Sequence, residues 1–215
     1  MNSPGQIGLR FAFVAVAIVL WFWTQRLIAA KAPAGNRVSD RLHDWTEPWH
    51  GWLVAHPRAA DWTLIVTSAL IDVFGLYLFA SAILGPTVRP FVAILILFAM
   101  RQACQAICTL PTPPGCIWRH PGFPSLFVTY GTSNDFFFSG HTAISVLGAL
   151  QLLHEAPPWL AAIGLAVAAI EAGTVIVLRA HYTMDVFAAP FAAFAADVLA
   201  GRLAPTIDAW LAAFR

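Results

Sequence analysis

The amino-acid sequence predicts an all-α, polytopic membrane protein, a single domain over residues 1–215 with six membrane-spanning helices. Composition is the first observation: 59% of the residues are hydrophobic, only 11% are charged, and the mean hydropathy is +0.71. Because a soluble domain carries roughly 25% charged residues, this chain has too few to cover a water-facing surface. The second observation is a set of apolar segments, each long enough to cross a hydrocarbon core of ~30 Å. These predicted spans are residues 9–30, 62–84, 89–109, 139–153, 159–180 and 182–203.

The net charge of +1 is the third observation. It leaves no basic field of the kind that nucleic-acid-binding proteins present, so we expect no nucleic-acid partner. No soluble domain and no internal repeat interrupts the succession of apolar segments.

The first predicted span ends with Trp21, Trp23 and Arg26, and the arginine is placed to reach the interface. A cleaved signal peptide is the alternative interpretation. Residues 11–23 could form its apolar region, and the small-residue stretch Ala-Lys-Ala-Pro-Ala follows.

Residues 31–61 form the longest polar stretch and are predicted to be an interfacial loop. Ser39 could cap a short helix within it, with Leu42, Trp45 and Trp49 on one face and Pro48 limiting its regularity. Tryptophans settle at the headgroup level of a bilayer. The stretch is therefore either an aromatic belt or a lid over a lipid entrance.

Asp72, Arg101 and Glu171 are ionisable residues that lie deep in predicted spans, roughly ten residues from one end, or about 15 Å at 1.5 Å per residue. Such groups are costly in a membrane and are functional by default. We expect Arg101 to form a buried ion pair with Asp72 or Glu171. Direct contact of Arg101 with substrate is the alternative.

The three cysteines, Cys104, Cys108 and Cys116, match no zinc-binding spacing. Free thiols are expected, with a disulfide from Cys116 to a helix thiol as the alternative. No metal and no cofactor is predicted.

Alternation of six spans determines which helix ends meet. The third and fifth spans end on the side where the fourth and sixth begin. The active-site loop 110–138, His141, Arg179, His181 and Asp185 are therefore predicted to share one membrane face, together with the loop 31–61.

His181 and Asp185 are spaced i, i+4, on one face of a helix. The carboxylate can fix the tautomer of the imidazole and leave the other ring nitrogen free to attack phosphorus. His141, with a pKa near neutrality in its unperturbed form, suits protonation of the leaving oxygen. The sequence therefore predicts phosphoryl chemistry through a phosphohistidine on His181.

Substrate-binding groups are predicted beside these three residues. Ser139 and Gly140 place a hydroxyl and a backbone N–H at a helix start, where the helix dipole favours anions. Arg179 could hold phosphate oxygens bidentately.

Two motifs carry a family resemblance. Phe138-Ser139-Gly140-His141 and His181-x-x-x-Asp185 resemble the second and third signature motifs of the type-2 phosphatidic acid phosphatase superfamily. The fuller pattern is similar to its sphingomyelin synthase-like branch, which includes sphingomyelin synthases and plant phosphatidylcholine:diacylglycerol cholinephosphotransferases. The matching stretches are Asp135-x-x-Phe138-Ser139-Gly140-His141-Thr142, His181-Tyr182-Thr183-x-Asp185-Val186, and Arg101 followed by Thr109-Leu110-Pro111-Thr112-Pro113.

The resemblance covers residues 101–186 and implies a six-helix bundle of the phosphatidic acid phosphatase kind. It implies that His181 is the nucleophile, Asp185 its orienting acid and His141 the leaving-group acid. Two features depart from the phosphatase pattern: Val175 stands where an arginine is expected, and the lysine-led first motif is absent. Arg179 could replace the missing arginine, and the missing lysine motif favours the transferase branch.

The predicted function is transfer of a phosphocholine- or phosphoethanolamine-type headgroup from a phospholipid to a lipid alcohol, diacylglycerol or ceramide. A lipid phosphatase or phospholipase C-type hydrolase with the same site is the alternative, and a non-enzymatic transporter is the second. A transferase must exclude water, for which Phe136, Phe137 and Phe138 are candidates, while Asp135 could bind the acceptor hydroxyl. Anchoring of the loop is the other role open to the phenylalanines.

All but one of the 12 basic residues are arginine, a bias typical of GC-rich coding and hence of many bacteria. The membrane is therefore predicted to be a bacterial inner membrane. Basic residues are more numerous on the predicted active face, which by the positive-inside rule would place the site in the cytoplasm. The resemblance implies an outward site, and we expect the outward orientation.

Overall fold

The computed structural model describes residues 38–107, 110–128, 130 and 136–213, together with Val19 and Trp23. Within these residues the chain is all-helical, and Asp40–Arg215 form one compact unit. Its helices are α1 (Arg41–Ala55), α2 (Pro57–Leu84), α3 (Arg89–Ile107), α4 (Gly140–Glu155), α5 (Pro158–Val177) and α6 (Thr183–Ala212).

Four of these helices, α2, α3, α5 and α6, are long and apolar enough to cross a membrane, as in an integral multi-pass membrane protein. They correspond to the second, third, fifth and sixth predicted spans. Helix α4 coincides with the fourth predicted span, but its 16 residues make a rod of only about 24 Å. The first predicted span lies outside the described residues except for Val19 and Trp23, so the six-span topology stays a prediction.

Helix α1 occupies part of the predicted interfacial loop and begins one residue later than expected. Asp40, not Ser39, is the N-cap, and its carboxylate accepts from the backbone N–H of Leu42 at 3.0 Å. A carboxylate at this position also complements the helix dipole. The helix continues through Pro48, whose predicted limit on regularity does not end it.

The later helix boundaries also differ from the predicted spans. Helix α5 ends at Val177, so Arg179 and Ala180 lie in the connection to α6 rather than in a span. Helix α6 runs to Ala212, beyond the predicted end at 203, and contains both Pro190 and Pro205. Helix α2 begins five residues before its predicted start, with Pro57 in its first turn, where a missing N–H costs nothing.

Helix α4 lies at the centre and packs against α2, α3, α5 and α6. Small residues allow the close approach of its neighbours, as membrane helix packing favours. Gly148 of α4 faces the Phe74 ring of α2, and Gly164 of α5 faces Ala149 of α4. Helix α6 contributes a buried alanine row to the same core, Ala189, Ala192, Ala193, Ala196 and Ala200.

This arrangement places four chain segments at one end of the bundle. Helix α3 ends there, α4 and α6 begin there, and Phe127 and Val128 of the loop after α3 pack against α2 and α4. Helix α1 packs against α5 and α2 at the same end. The described residues of the segments predicted to share one membrane face therefore meet at one end of the bundle, and their placement on one side of a membrane stays a prediction.

Candidate active site

His181 and Asp185 lie on either side of the start of α6. The His181 Nδ1 and the Asp185 Oδ2 are 3.6 Å apart, and both side chains are buried. Oδ2 also accepts from the backbone N–H of Tyr182 at 2.9 Å, which fixes the carboxylate at the helix start. The His181 Nδ1 and the Asp185 Oδ1 have no hydrogen-bond partner among the described residues. Catalytic hydrogen bonds are often long without substrate and tighten in the complex.

His141 occupies the first turn of α4, two residues after the N-cap Ser139. Its Nε2 is buried without a hydrogen-bond partner among the described residues. The Trp118 ring meets it edge-on, with the two ring centroids 5.2 Å apart. A buried imidazole nitrogen left unpaired by the protein is a group prepared for a ligand or a proton transfer.

Both histidines line the same cavity of about 60 Å³. The two imidazoles therefore border one small space. The cavity is lined by Ile71, Phe98, Arg101, Trp118, Phe127, Val128, Phe136, Gly140, His141, Ile144, Ala180 and His181.

The two sequence motifs are joined directly through their backbones. The backbone N–H of Ser139 donates to the Asp185 carbonyl at 3.0 Å, which holds the start of α4 against the start of α6. The Ser139 hydroxyl accepts from the Thr142 N–H at 3.4 Å and from the Thr142 hydroxyl at 3.1 Å. Ser139 therefore caps and fixes the helix that carries His141.

Arg101 is the cation of the cavity. Its Nε donates to the Phe138 carbonyl at 2.9 Å, and its guanidinium packs over Gly140. A β-carbon at Gly140 would lie 3.3 Å from the Arg101 Nε. The absence of a side chain at Gly140 lets the guanidinium approach the helix start beside His141.

Arg101 was predicted to form an ion pair with Asp72 or Glu171, and this prediction is wrong, because both carboxylates have other partners. Asp72 accepts from the Ser125 hydroxyl at 3.0 Å and from the backbone N–H of Leu126 and Phe127 at 3.1 Å. It thereby fixes the loop above the cavity. Backbone N–H groups of a loop need partners as much as a buried carboxylate does.

Glu171 also has a different partner from the expected one. It is buried in α5 and accepts from the Thr67 hydroxyl of α2. A hydroxyl can satisfy a buried carboxyl without an opposite charge. Glu171 does not line the cavity.

Arg179 does not line the cavity either, although it was expected to bind phosphate. Its Nη1 donates to the Pro114 carbonyl at 2.9 Å, and its Nη2 pairs with Glu47 of α1. The residue adopts a left-handed backbone conformation with φ of 53°. This turn directs the side chain towards α1 and the loop instead of the histidines.

The aromatic residues of the active-site loop divide into two groups. Phe136, Trp118 and Phe127 line the cavity, and the Phe136 ring meets His181 edge-on at 6.3 Å between centroids. Phe138 instead belongs to the core between α3, α4 and α6. Asp135, the predicted acceptor-binding residue, lies outside the described residues.

Residues of α1 that contact the site were missed by the sequence reasoning. Asp40, His43, Glu47 and His50 all contact the segment 177–183 that carries His181. Their spacing of three, four and three residues is the signal that could have found them. The tryptophans on the other side of α1 indicated only a contact with the membrane surface, so the polar side of the helix was not considered.

Cys104 and Cys116 are free thiols, so neither forms a disulfide, and Cys108 lies outside the described residues. Burial raises the pKa of Cys116 to about 11, which keeps this thiol protonated at neutral pH. Among the described residues, no three His, Cys, Asp or Glu side chains are grouped to hold a metal ion.

Comparison with known proteins gives one match. A profile of the AtPDCT1/2 family matches residues 40–202, which include α1, both histidine motifs and the helices between them. No curated protein and no solved structure matches the chain. The match begins at the N-cap of α1, so α1 lies within the family region.

Proposed function

The chain belongs to the AtPDCT1/2 family, and from this membership we propose that it transfers a phosphocholine headgroup from phosphatidylcholine to diacylglycerol. The family is that of phosphatidylcholine:diacylglycerol cholinephosphotransferases, within the sphingomyelin synthase-like group. The observation that carries the proposal is the single cavity lined by His141, His181 and Arg101. Two imidazoles and a guanidinium around one small space are suited to a phosphodiester.

In the first step, His181 is the nucleophile. Its Nδ1 faces Asp185, so the proton stays on Nδ1 and the Nε2 lone pair attacks phosphorus. The bond between phosphorus and the glycerol oxygen breaks as the bond between phosphorus and Nε2 forms. The departing oxygen takes a proton from His141, and diacylglycerol leaves.

The second step reverses these roles with a new acceptor. The acceptor hydroxyl gives its proton to His141, now a base, and its oxygen attacks the phosphorus. The bond to Nε2 breaks, and His181 returns to its starting form. Because donor and acceptor alcohols are chemically alike, one acid–base residue serves both directions by microscopic reversibility.

Arg101 is proposed to stabilise the charge on the phosphoryl oxygens. Its guanidinium lies at the helix start beside His141, where the backbone dipole adds to its field. Donors already oriented before the reaction stabilise the transition state without reorganisation. Phe136, Trp118 and Phe127 are proposed to keep water from the phosphohistidine.

The site is proposed to face outward from a bacterial inner membrane. Support for the orientation comes from the resemblance alone, and the distribution of arginines argues against it. A cysteine placed at Pro121, in the loop 110–138, would react with an impermeant maleimide in intact cells if the loop is outside. Labelling only after the cells are opened would show that the loop, and with it the site, faces the cytoplasm.

The test of function uses purified protein with phosphatidylcholine labelled in its choline and diacylglycerol of distinguishable acyl chains. We expect labelled phosphatidylcholine carrying the new acyl chains, identified by mass spectrometry. A parallel arm with ceramide would detect sphingomyelin formation and so test the acceptor. Release of free phosphocholine as the main product with excess diacylglycerol would replace the transferase by a hydrolase. Absence of both products would remove the enzymatic proposal.

A further inference from the structure

The segment between α5 and α6 carries the proposed nucleophile, and α1 contacts it along its whole length. At one end, the His50 Nδ1 donates to the Val177 carbonyl at 2.9 Å. At the other end, Asp40 accepts from the Thr183 backbone N–H at 2.6 Å and from its hydroxyl at 2.5 Å. Between them, Glu47 pairs with Arg179.

The remaining contact is made to the nucleophile itself. The His43 Nε2 lies 2.9 Å from the carbonyl oxygen of His181. A carbonyl can only accept, so His43 must carry its proton on Nε2. The His43 ring also stacks on Tyr182, with 5.9 Å between the centroids, and His43 is 6% exposed.

These four side chains form one stripe on α1, which we call the clamp face: Asp40, His43, Glu47 and His50. Spacings of three and four residues bring them to the same side of a helix. Asp40 is charged at neutral pH. Burial opposes its ionisation, but the hydrogen bonds from Thr183 and Leu42, together with the nearby His43, lower the pKa of this carboxyl.

The opposite side of α1 is apolar and open. Trp45, Trp49 and Trp52 are 69%, 64% and 53% exposed. Tryptophans of this kind settle at the headgroup level, which would hold α1 at the membrane surface. With its tryptophan side at the membrane surface, α1 directs the clamp face towards the bundle. This argument does not depend on the hydrogen bonds that the clamp face makes.

We propose that α1 is a positioning element for the reaction, and that His43 sets the place of His181 by holding its backbone carbonyl. His43 does not line the cavity, so its action on substrate passes through His181. The same proposal assigns Arg179 to this clamp, as the partner of Glu47, rather than to the substrate phosphate. It rests on the proposed function only in taking His181 as the nucleophile.

The effect of losing the clamp is a displaced nucleophile, not a missing one. An in-line attack needs the reacting atoms in contact at the correct angle, and a shift of ~1 Å can cost about 10²-fold in rate. Substrate binding in the cavity should change little. The expected signature is thus a fall in kcat with KM nearly unchanged.

The test compares three variants. His43→Phe removes the donor but keeps an aromatic ring against Tyr182. His43→Gln places an amide N–H where the Nε2–H was. His56→Phe is the matched control, because it also removes a histidine bond to a backbone carbonyl, that of Trp52, and His56 is not part of the clamp face.

We expect His43→Phe to lose about 10- to 100-fold in kcat, within the range for a misplaced reacting group. We expect His43→Gln to recover most of that loss and His56→Phe to lose less than threefold per folded molecule. Equal losses in His43→Phe and His56→Phe, or no recovery with glutamine, would overturn the assignment of His43 and leave α1 as packing.

A second measurement does not depend on which reaction the protein catalyses. Amide hydrogen exchange of the peptide covering residues 178–185 should quicken in His43→Phe, while α3 and α4 remain protected as in the wild type. Unchanged exchange in that peptide would refute the clamp. If the wild type transfers no headgroup, the proposed function fails, and this exchange measurement still decides the clamp.

Discussion

The Nδ1 of His181 and the Oδ2 of Asp185 lie 3.6 Å apart, one helical turn from each other at the start of α6. The carboxylate is held in place, because it also accepts a hydrogen bond from the backbone N–H of Tyr182, the N-cap residue of α6. The Asp185 side chain thus stabilises the start of α6 and also orients the proposed nucleophile, His181. The two roles can be separated by substitution.

Asp185→Asn tests the orienting role. The asparagine oxygen can take the Oδ2 position and still accept from the Tyr182 N–H, but it lacks the carboxylate charge that holds the proton on the His181 Nδ1. We expect a loss of several orders of magnitude, about 10⁴-fold where this substitution is made in a Ser-His-Asp triad. The melting temperature should change little, and His181→Ala should abolish turnover.

Asp197→Asn is the matched control, on the same helix but away from the cavity. Asp197 pairs with Arg89 at 2.9 Å and with His154 at 3.1 Å. We expect this variant to lose stability and keep its kcat per folded molecule. Turnover by His181→Ala would end the phosphohistidine mechanism.

Arg101 is expected to act on the substrate rather than to neutralise a buried carboxylate. Arg101→Lys should lower kcat by about 10²-fold, as removal of one oriented donor does elsewhere. Asp72 and Glu171 have other partners, so Asp72→Asn or Glu171→Gln should restore neither activity nor stability to Arg101→Ala. Arg202→Ala, exposed on α6, is the control. Recovery of stability when Asp72→Asn or Glu171→Gln is added to Arg101→Ala would support the ion pair between Arg101 and that carboxylate.

Phe136 is expected to protect the phosphohistidine from water. Phe136→Ser should raise the ratio of released phosphocholine to transferred headgroup, because a polar side chain beside His181 admits water to the cavity. Phe123→Ser serves as the control, since Phe123 is in the same loop and does not line the cavity. An unchanged ratio in Phe136→Ser would assign Phe136 to anchoring alone.

Gly148→Ala tests the packing of α4 against α2. A β-carbon at Gly148 would lie 2.1 Å from the Phe74 Cδ1, inside a buried cluster where the ring has little room to move. We expect destabilisation of about 1–3 kcal/mol, as overpacking costs in other cores. Gly173→Ala on α5, with nothing within 4 Å, should be neutral or stabilising by up to about 1 kcal/mol. Thermal unfolding in detergent compares the two.

Chelation tests the predicted independence from metal ions. The proposed acid, nucleophile and cation are all side chains of this chain, so transfer should continue in EDTA at the untreated rate. Loss of activity that a divalent ion restores would require carboxylate ligands at the site and a different mechanism.

The placement of the two histidine motifs at helix starts could be predicted from sequence because each motif is local. An i, i+4 histidine and carboxylate share a helix face whatever surrounds them, and a Ser-Gly-His start places its histidine in a first helical turn. The chemistry of these residue types then follows. The meeting of the two motifs was also predictable, because alternating spans determine which ends are neighbours.

Partners of charged side chains could not be predicted in the same way. Arg179 is two residues from His181 in sequence, yet its left-handed backbone and the presence of Glu47 direct it to α1. Asp72 was expected to meet a cation and instead holds three donors of a loop some fifty residues later. Several partners satisfy a carboxylate or guanidinium equally well, so spacing alone does not choose among them.

The sequence by itself therefore determined the apolar, membrane-type composition, the helical class and the places of His141, His181 and Asp185 at helix starts, since hydropathy and helical periodicity are properties of neighbouring residues. The tertiary structure alone decided which groups surround them. It brought Arg101 to Gly140 and His43 to the His181 carbonyl, contacts that join residues far apart in the chain. Such contacts depend on how whole helices pack, and close packing is a property of the assembled bundle, not of any one segment.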